Sequence, residues 1–269
     1  MPDLPAIYKG FYPFQLACPS FIYPAGYTEN VDKLGRVVDE IELLFFESSP
    51  GALPDADEIN TLKSLAGNHD ITYNVHLPTD VMIGHPDPAE QKKAIDAVAA
   101  TIHLALPLAP SSFTLHLPFT EQDRGPIGIR EWQTRVKQGV SDLLSATSLP
   151  PRAIAIETLH YPFACLGDII TAFDLSVCLD TGHLMACGEA CSPLFNRFQE
   201  RITICHLHGL SKDRDHIALS NLTRVQAEDL KHLLPHIHTT VSLEVFSVAD
   251  LAASLDYLHH LCHTYKDIK

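Results

Sequence analysis

The sequence contains no uninterrupted apolar stretch near the roughly 20 residues that a membrane-spanning helix requires. A membrane role is therefore not expected. Residues Met1 to Phe14 lack a basic segment followed by a hydrophobic one, so they do not read as a secretory leader. Seven cysteines are present, an odd and scattered set with no Cys-x-x-Cys pair, which argues against a disulfide framework and for reduced thiols in the cytosol. Cys178 and Cys205 fall inside apolar runs and read as core, while Cys187 and Cys191 are one helical turn apart. Basic residues are scarce, 19 against 33 acidic ones, for a formal net charge of −14. Duplex DNA is held largely by Lys and Arg on phosphates, so nucleic acid is not the expected partner. No Gly-x-Gly-x-x-Gly follows the first apolar run, so a dinucleotide fold is not indicated.

Short apolar runs alternate with amphipathic segments along the whole chain. The runs are Phe14–Cys18, Glu40–Phe46, Ile71–Val75, Phe113–Leu115, Ala153–Ile156, Val177–Leu179, Ile202–Cys205 and Thr240–Leu243. Segments with apolar residues at helical spacing lie between them, such as 89–106 with Ile95, Val98, Ile102 and Leu106. Further helices are expected over 31–38, 54–65 with Gly67-Asn68 as its C-terminal stop, 131–144, 163–173, 192–200, 224–234 and 248–263. Eight strand–helix units without a break in composition predict an α/β fold, a single (β/α)8 barrel spanning residues 1–269. A doubly wound open sheet is the alternative.

In such a barrel the strand C-termini share one mouth, where active sites sit. The residues closing these runs are Glu47, His76, His116, Glu157, Asp180 followed by His183, His206 and Glu244. The centre of the set is Val177-Cys-Leu-Asp180-Thr-Gly-His183, where a buried run ends at a carboxylate and an imidazole follows three residues later. Each residue has a structural alternative: Asp180 as a helix cap, His76 and His116 as core histidines bonded to carbonyls, Glu157 and Glu244 as partners of a Lys or Arg. Together they exceed the basic residues available at those ends, and unpaired buried charge is costly. One to three divalent cations would satisfy them. Mixed carboxylate and imidazole ligation suits Zn²⁺ or Mn²⁺ better than Mg²⁺ or Ca²⁺. Such cations lower the pKa of water and stabilise a leaving oxygen, as phosphodiester hydrolysis needs, or hold a sugar's carbonyl and hydroxyl during isomerisation. His208 reads as structural or substrate-facing, His216 gains weight only from the set, and Lys212 and Arg214 read as solvated or as contacts for an anionic substrate. The loop Ser20-Phe21-Ile22-Tyr23-Pro24 is a lid or an apolar shelf for a flat ligand.

Asn-Val-His76-Leu-Pro, Thr-Leu-His116-Leu-Pro, Ile-Glu157-Thr-Leu, Cys-Leu-Asp180-Thr-Gly-His183, His206-Leu-His-Gly-Leu-Ser-Lys and Ser-Leu-Glu244 together resemble the strand-end pattern of the xylose-isomerase-like barrels, and within them the endonuclease-IV-like group. The resemblance covers nearly the whole chain. It implies metal roles for His76, His116, Glu157, Asp180, His183, His206, His216 and Glu244. The endonucleases carry Asp-x-His after strand seven, whereas here the loop reads Asp213-Arg214-Asp215-His216, so the aspartate partner is shifted. A narrower likeness, carried by Ser20-Phe-Ile-Tyr-Pro, Asp39-Glu-Ile-Glu-Leu-Leu-Phe-Phe-Glu-Ser, Tyr73-Asn-Val-His-Leu-Pro-Thr-Asp and Ser176-Val-Cys-Leu-Asp-Thr-Gly-His, is to the cobamide-remodelling phosphodiesterases. It implies cleavage of the nucleotide-loop phosphoester of a cobamide to cobinamide phosphate and an α-riboside. The roles expected on this reading are Glu157, Glu244 and Lys212 in catalysis, with Phe21, Tyr23, Arg214 and His208 against substrate. A sugar isomerase or epimerase, a non-catalytic corrinoid or metal carrier, and an abasic-site endonuclease are the competing readings.

Overall fold

The computed structural model describes residue 4 and residues 8–49 and 51–263. Part of the N-terminal stretch 1–14 therefore lies outside the described residues. Eight parallel strands close into a barrel in sequence order. They are β1 (Gln15–Pro19), β2 (Glu40–Leu44), β3 (Thr72–His76), β4 (Phe113–Leu115), β5 (Ile154–Glu157), β6 (Ser176–Asp180), β7 (Ile202–Leu207) and β8 (Thr240–Leu243). The helices are α1 (Tyr27–Leu34), α2 (Ala56–His69), α3 (Pro88–Ala105), α4 (Pro126–Thr147), α5 (Gly167–Ala172), α6 (Thr181–Ala186), α7 (Cys191–Phe198), α8 (Arg224–Leu233) and α9 (Val248–His263).

Strand side chains alternate between two environments. Ile41 and Leu43, Tyr73 and Val75, Ile154 and Ile156, Val177 and Leu179, and Val241 and Leu243 face the helices and form the main apolar core. The other face, inside the barrel, is largely polar. Ala155, Cys178 and Ile204 form a small separate apolar cluster there. At the N-terminal end of the barrel Glu40 accepts hydrogen bonds from Thr72, Asn74, Ser111 and Thr240. At the other end lie His76, Glu157, Asp180, His206 and Glu244, each no more than 3% exposed.

One irregularity matters to the mouth. Between β6 and β7 the register shifts, from Val177 opposite Ile202 to Cys178 opposite Ile204. An unshifted ladder would set Asp180 beside Cys205, whose side chain faces the helices. The extra residue in β7 instead sets Asp180 beside His206 and turns both inward.

Several boundaries differ from the sequence expectation. Helix α1 starts and ends earlier than 31–38. Helix α2 runs through Gly67-Asn68 to His69, and Asp70, with φ of 52°, ends it in the left-handed conformation. Helix α4 begins at Pro126 rather than at 131, with the proline in its first turn where no backbone donor is needed. Strand β2 stops at Leu44, with the Phe45 N–H still bonded to the His76 carbonyl.

Gly139 on α4 packs where a Cβ would lie 2.0 Å from the Ile83 carbonyl oxygen. Backbone cannot give way cheaply, so Gly139→Ala is expected to destabilise the fold by about 1–3 kcal/mol, read from the denaturant midpoint. An unchanged midpoint would contradict that close approach.

Candidate metal centre

Strand β6 delivers Asp180 and is followed at once by α6. The Thr181-Gly182-His183 segment is the first turn of that helix. Asp180 Oδ1 accepts from the His183 N–H at 2.7 Å, capping the helix. Its Oδ2 has no hydrogen-bond partner among the described residues. The cap and the candidate ligand are thus two oxygens of one carboxylate. Thr158 holds the segment from β5, with its hydroxyl against both the N–H and the carbonyl of Asp180.

Glu157 lies between three imidazoles. Its Oε2 is 3.2 Å from His76 Nε2 and 2.9 Å from His116 Nε2, and its Oε1 is 3.3 Å from His183 Nδ1. Glu244 Oε2 is 3.0 Å from His206 Nδ1 and 3.3 Å from His216 Nε2. Ligand atoms within 4.8 Å of one another define overlapping donor groups: His76, His116 and Glu157; Glu157, Asp180, His206 and Glu244; and Asp180, His183, His208 and His216. Glu157 belongs to the first two and Asp180 to the last two. All eight residues expected as ligands therefore converge on one mouth.

His208, in the third group, packs against the same carboxylate. Its Nδ1 lies 3.0 Å from the His216 backbone N–H and 3.1 Å from the Gly209 carbonyl oxygen, and its Nε2 faces Asp180 Oδ1 at 3.2 Å without an aligned hydrogen bond among the described residues. The close packing requires Gly182, where a Cβ would lie 2.1 Å from the His208 ring.

Burial alone would raise the carboxyl pKa of Glu157, yet the His116 charge and hydrogen bonds from His116, His183 and His76 hold it well below the ordinary range. Glu244 is likewise held well down against its burial by His206 and His216. Asp180 is lowered against its burial by His208 and His183. Burial opposes protonation of His183, but Asp180 and Glu157 raise it to about 10. Burial is outweighed in the same way at His216, which Glu244 raises to about 9. His76 is raised by Glu157 despite its burial. His206, also against burial, is pushed well above its ordinary value by Cys178, Glu244 and Glu42.

These residues fit divalent cations. Asp180 Oδ2, Glu244 Oε2, His206 Nδ1 and Nε2, and Glu42 Oε1 are buried without an aligned hydrogen-bond partner among the described residues, although opposing atoms lie close. Desolvating such charges costs several kcal/mol per ion unless something between them compensates. The donors are oxygen and imidazole nitrogen, the set that Zn²⁺ and Mn²⁺ accept.

Other expected site residues are distributed differently. Glu47 is exposed and outside every donor group, because β2 ends three residues before it. Glu42 is the buried carboxylate that β2 sends toward the mouth, with Oε1 2.8 Å from His206 Nε2. An alternation of Glu40, Ile41, Glu42 and Leu43 in one strand was the available clue, since period two puts both glutamates on one face. Tyr23 is buried at 6% exposure with Lys33 over its ring, so its ring is core and not a shelf. Phe21 is 61% exposed. Two aromatics not singled out in the sequence border the imidazoles: Phe46 meets His76 edge-on at 4.8 Å, and Phe246 stacks on His216 at 5.3 Å. Lys212 and Arg214 are exposed on the loop after β7. In that loop Asp215, not Asp213, joins a donor group, with His160 and His183, and its Oδ1 is 3.1 Å from His216 Nδ1.

The xylose isomerase-like TIM barrel family pattern matches residues 29–258. The chain belongs to this family. Solved structures agree on the fold at low identity. A D-tagatose 3-epimerase-like protein superposes with a TM-score of 0.73 at 14% identity, covering 94% of this chain and 98% of that one. The IOLI protein with a bound zinc atom gives 0.69 at 15%, covering 92% and 96%. An AP endonuclease, family 2, from Brucella melitensis gives 0.63 at 12%, covering 91% and 97%. No curated protein matches the sequence significantly.

The raised imidazoles yield a pH prediction. Groups with folded pKa values of about 9 and about 10 stabilise the cation-free fold fully below the unfolded value, about 6.5, and lose that contribution as pH rises through 9 to 10. A bound cation replaces the protons. The rise in melting temperature on adding Zn²⁺ or Mn²⁺ to chelator-stripped protein is thus expected to grow between pH 6.5 and 10. A rise independent of pH would contradict proton–cation exchange at His183 and His216.

Proposed function

We propose that the mouth hydrolyses a phosphodiester, and that the substrate is a cobamide cleaved at its nucleotide loop to cobinamide phosphate and an α-riboside. The observation that carries this reading is the sharing of carboxylates: Glu157 stands in three donor groups and Asp180 in two. A sugar carbonyl and hydroxyl are held by one or two cations. A row of adjoining groups suits a phosphoryl centre, where charge builds on attacking, equatorial and leaving oxygens together. When bound, divalent cations there would activate water and neutralise the oxygen charge.

The chain's own side chains supply the rest. Glu157 and Glu244 would hold cations there and orient water. His208 lies 3.2 Å from Asp180 Oδ1. Lys212 and Arg214, exposed on the loop after β7, would offset phosphate charge. Phe21 is highly exposed, and Phe46 and Phe246 meet at a 6.4 Å centroid distance beside the ligand histidines. They offer an apolar wall for a flat macrocycle, the part first read into Phe21–Tyr23. The narrower sequence likeness to the cobamide-remodelling phosphodiesterases and the acidic overall charge support the same substrate over DNA.

A sugar epimerase is the second reading. It is favoured by the completeness of the Glu157, Asp180, His206 and Glu244 group by itself and by likeness to a D-psicose 3-epimerase from Clostridium cellulolyticum H10, with a TM-score of 0.69 at 14% identity, covering 92% of this chain and 99% of that one. Chromatography of products from Zn²⁺- or Mn²⁺-loaded protein decides between them. Cobinamide phosphate and an α-riboside are expected from adenosylcobalamin, with Glu157→Gln slowing their release at least about 100-fold. Intact cobamide with turnover of a ketose would establish the epimerase instead. Tight corrinoid binding that survives Glu157→Gln without any product would mark a carrier.

A further inference from the structure

Glu42 lies in β2, is fully buried, and belongs to none of the donor groups. Its Oε2 accepts from Ser242 Oγ at 2.6 Å, which anchors the carboxylate to β8. Its Oε1 has no aligned hydrogen-bond donor among the described residues and lies 2.8 Å from His206 Nε2. The other ring nitrogen of His206 faces the opposite way. Its Nδ1 lies 3.0 Å from Glu244 Oε2, 3.8 Å from Asp180 Oδ2 and 3.9 Å from Glu157 Oε2. The imidazole therefore stands between one carboxylate behind it and three in front.

We propose that Glu42 is the positioning residue of the centre: it draws the His206 ring proton to Nε2 and so leaves the Nδ1 lone pair facing Glu157, Asp180 and Glu244. A neutral imidazole has one N–H and one lone pair, and a cation takes only the lone pair. With a carboxylate at Nε2, the tautomer that donates there is favoured and Nδ1 becomes the better electron donor. Without that charge the ring is free to hold its proton on Nδ1, among the three carboxylates, where it would occupy the ligand position. The inference rests on the reading that the Glu157, Asp180, His206 and Glu244 group holds a cation.

A buried glutamate does not do this by burial alone, and β2 carries its own control. Glu40 sits two residues earlier on the same face and is equally buried, but its oxygens are met by Thr72, Asn74, Ser111 and Thr240, and it pairs with no histidine among the described residues. Loss of charge at Glu40 is therefore expected to leave cation affinity unchanged, and loss of charge at Glu42 to weaken it.

The test measures Zn²⁺ and Mn²⁺ affinity by chelator competition for wild type, Glu42→Gln, Glu40→Gln, Glu157→Gln and Ser242→Ala. Glu42→Gln is expected to bind about 10–100-fold more weakly than wild type. Ser242→Ala, which only unpins Glu42, is expected to lose less and serves if Glu42→Gln does not fold. Long-range ¹⁵N correlation spectra of the zinc-loaded wild type should show the His206 proton on Nε2. Wild-type affinity in both Glu42→Gln and Ser242→Ala, alongside weakened binding in Glu157→Gln, would overturn the role of Glu42 while leaving the cation reading intact. Equal losses in Glu42→Gln and Glu40→Gln would overturn it as well, since burial rather than contact with His206 would then be responsible. Wild-type protein that binds neither cation would remove the cation reading and this inference with it.

Discussion

Four carboxylates, Glu42, Glu157, Asp180 and Glu244, are buried together at one end of the barrel, and none of them pairs with a lysine or arginine among the described residues. Every ion pair they make is with a histidine. In the cation-free state that repulsion is relieved by protons, as the raised values at His76, His183, His206 and His216 show. A proton on an imidazole is a replaceable positive charge, unlike a guanidinium. The centre is built so that its charge balance can be met by something that comes and goes.

The rest of the chain serves this arrangement. Helices cover the apolar outer face of the barrel and supply the hydrophobic burial, which leaves the inner face free to be polar. The glutamate at the N-terminal end of the barrel is closed off by hydroxyl and amide donors, so the ionic demand is concentrated at the mouth. The register shift between β6 and β7 brings Asp180 and His206 level. Helix α6, capped by Asp180 itself, brings His183 back over the same point. Changes at any of these positions act on the site without touching a substrate.

Much of the fold was legible because the barrel repeats one simple pattern eight times, a short apolar run followed by a helical one. The ligands at strand ends were legible for the same reason, since Glu157, Asp180, His206 and Glu244 interrupt apolar runs where nothing apolar is needed. Glu42 was not, because it lies inside a run rather than at its end, and its contact with His206 crosses from β2 to β7 through the barrel interior. Glu47 misled because Phe45 and Phe46 extend the apolar run past the point where β2 leaves the ladder. Tyr23 read as a loop aromatic but packs inward, with Asn30 holding the surrounding backbone through its side-chain amide. Phe46 and Phe246 gave no local signal of their own, since only the closure of the barrel places β8 and β2 either side of β1.

The family supplies the barrel, and a D-tagatose 3-epimerase-like protein and an AP endonuclease share the fold at 14% and 12% identity, so the chemistry must be sought in the side chains of this chain. The most direct measurement is anomalous diffraction at the zinc edge from crystals of the zinc-loaded protein. The account predicts a peak enclosed by Glu157, Asp180, His206 and Glu244, with further density beside His76 and His116 or beside His183 and His216. A mouth with no anomalous peak at saturating zinc, its carboxylates neutralised by protonated imidazoles alone, would contradict it.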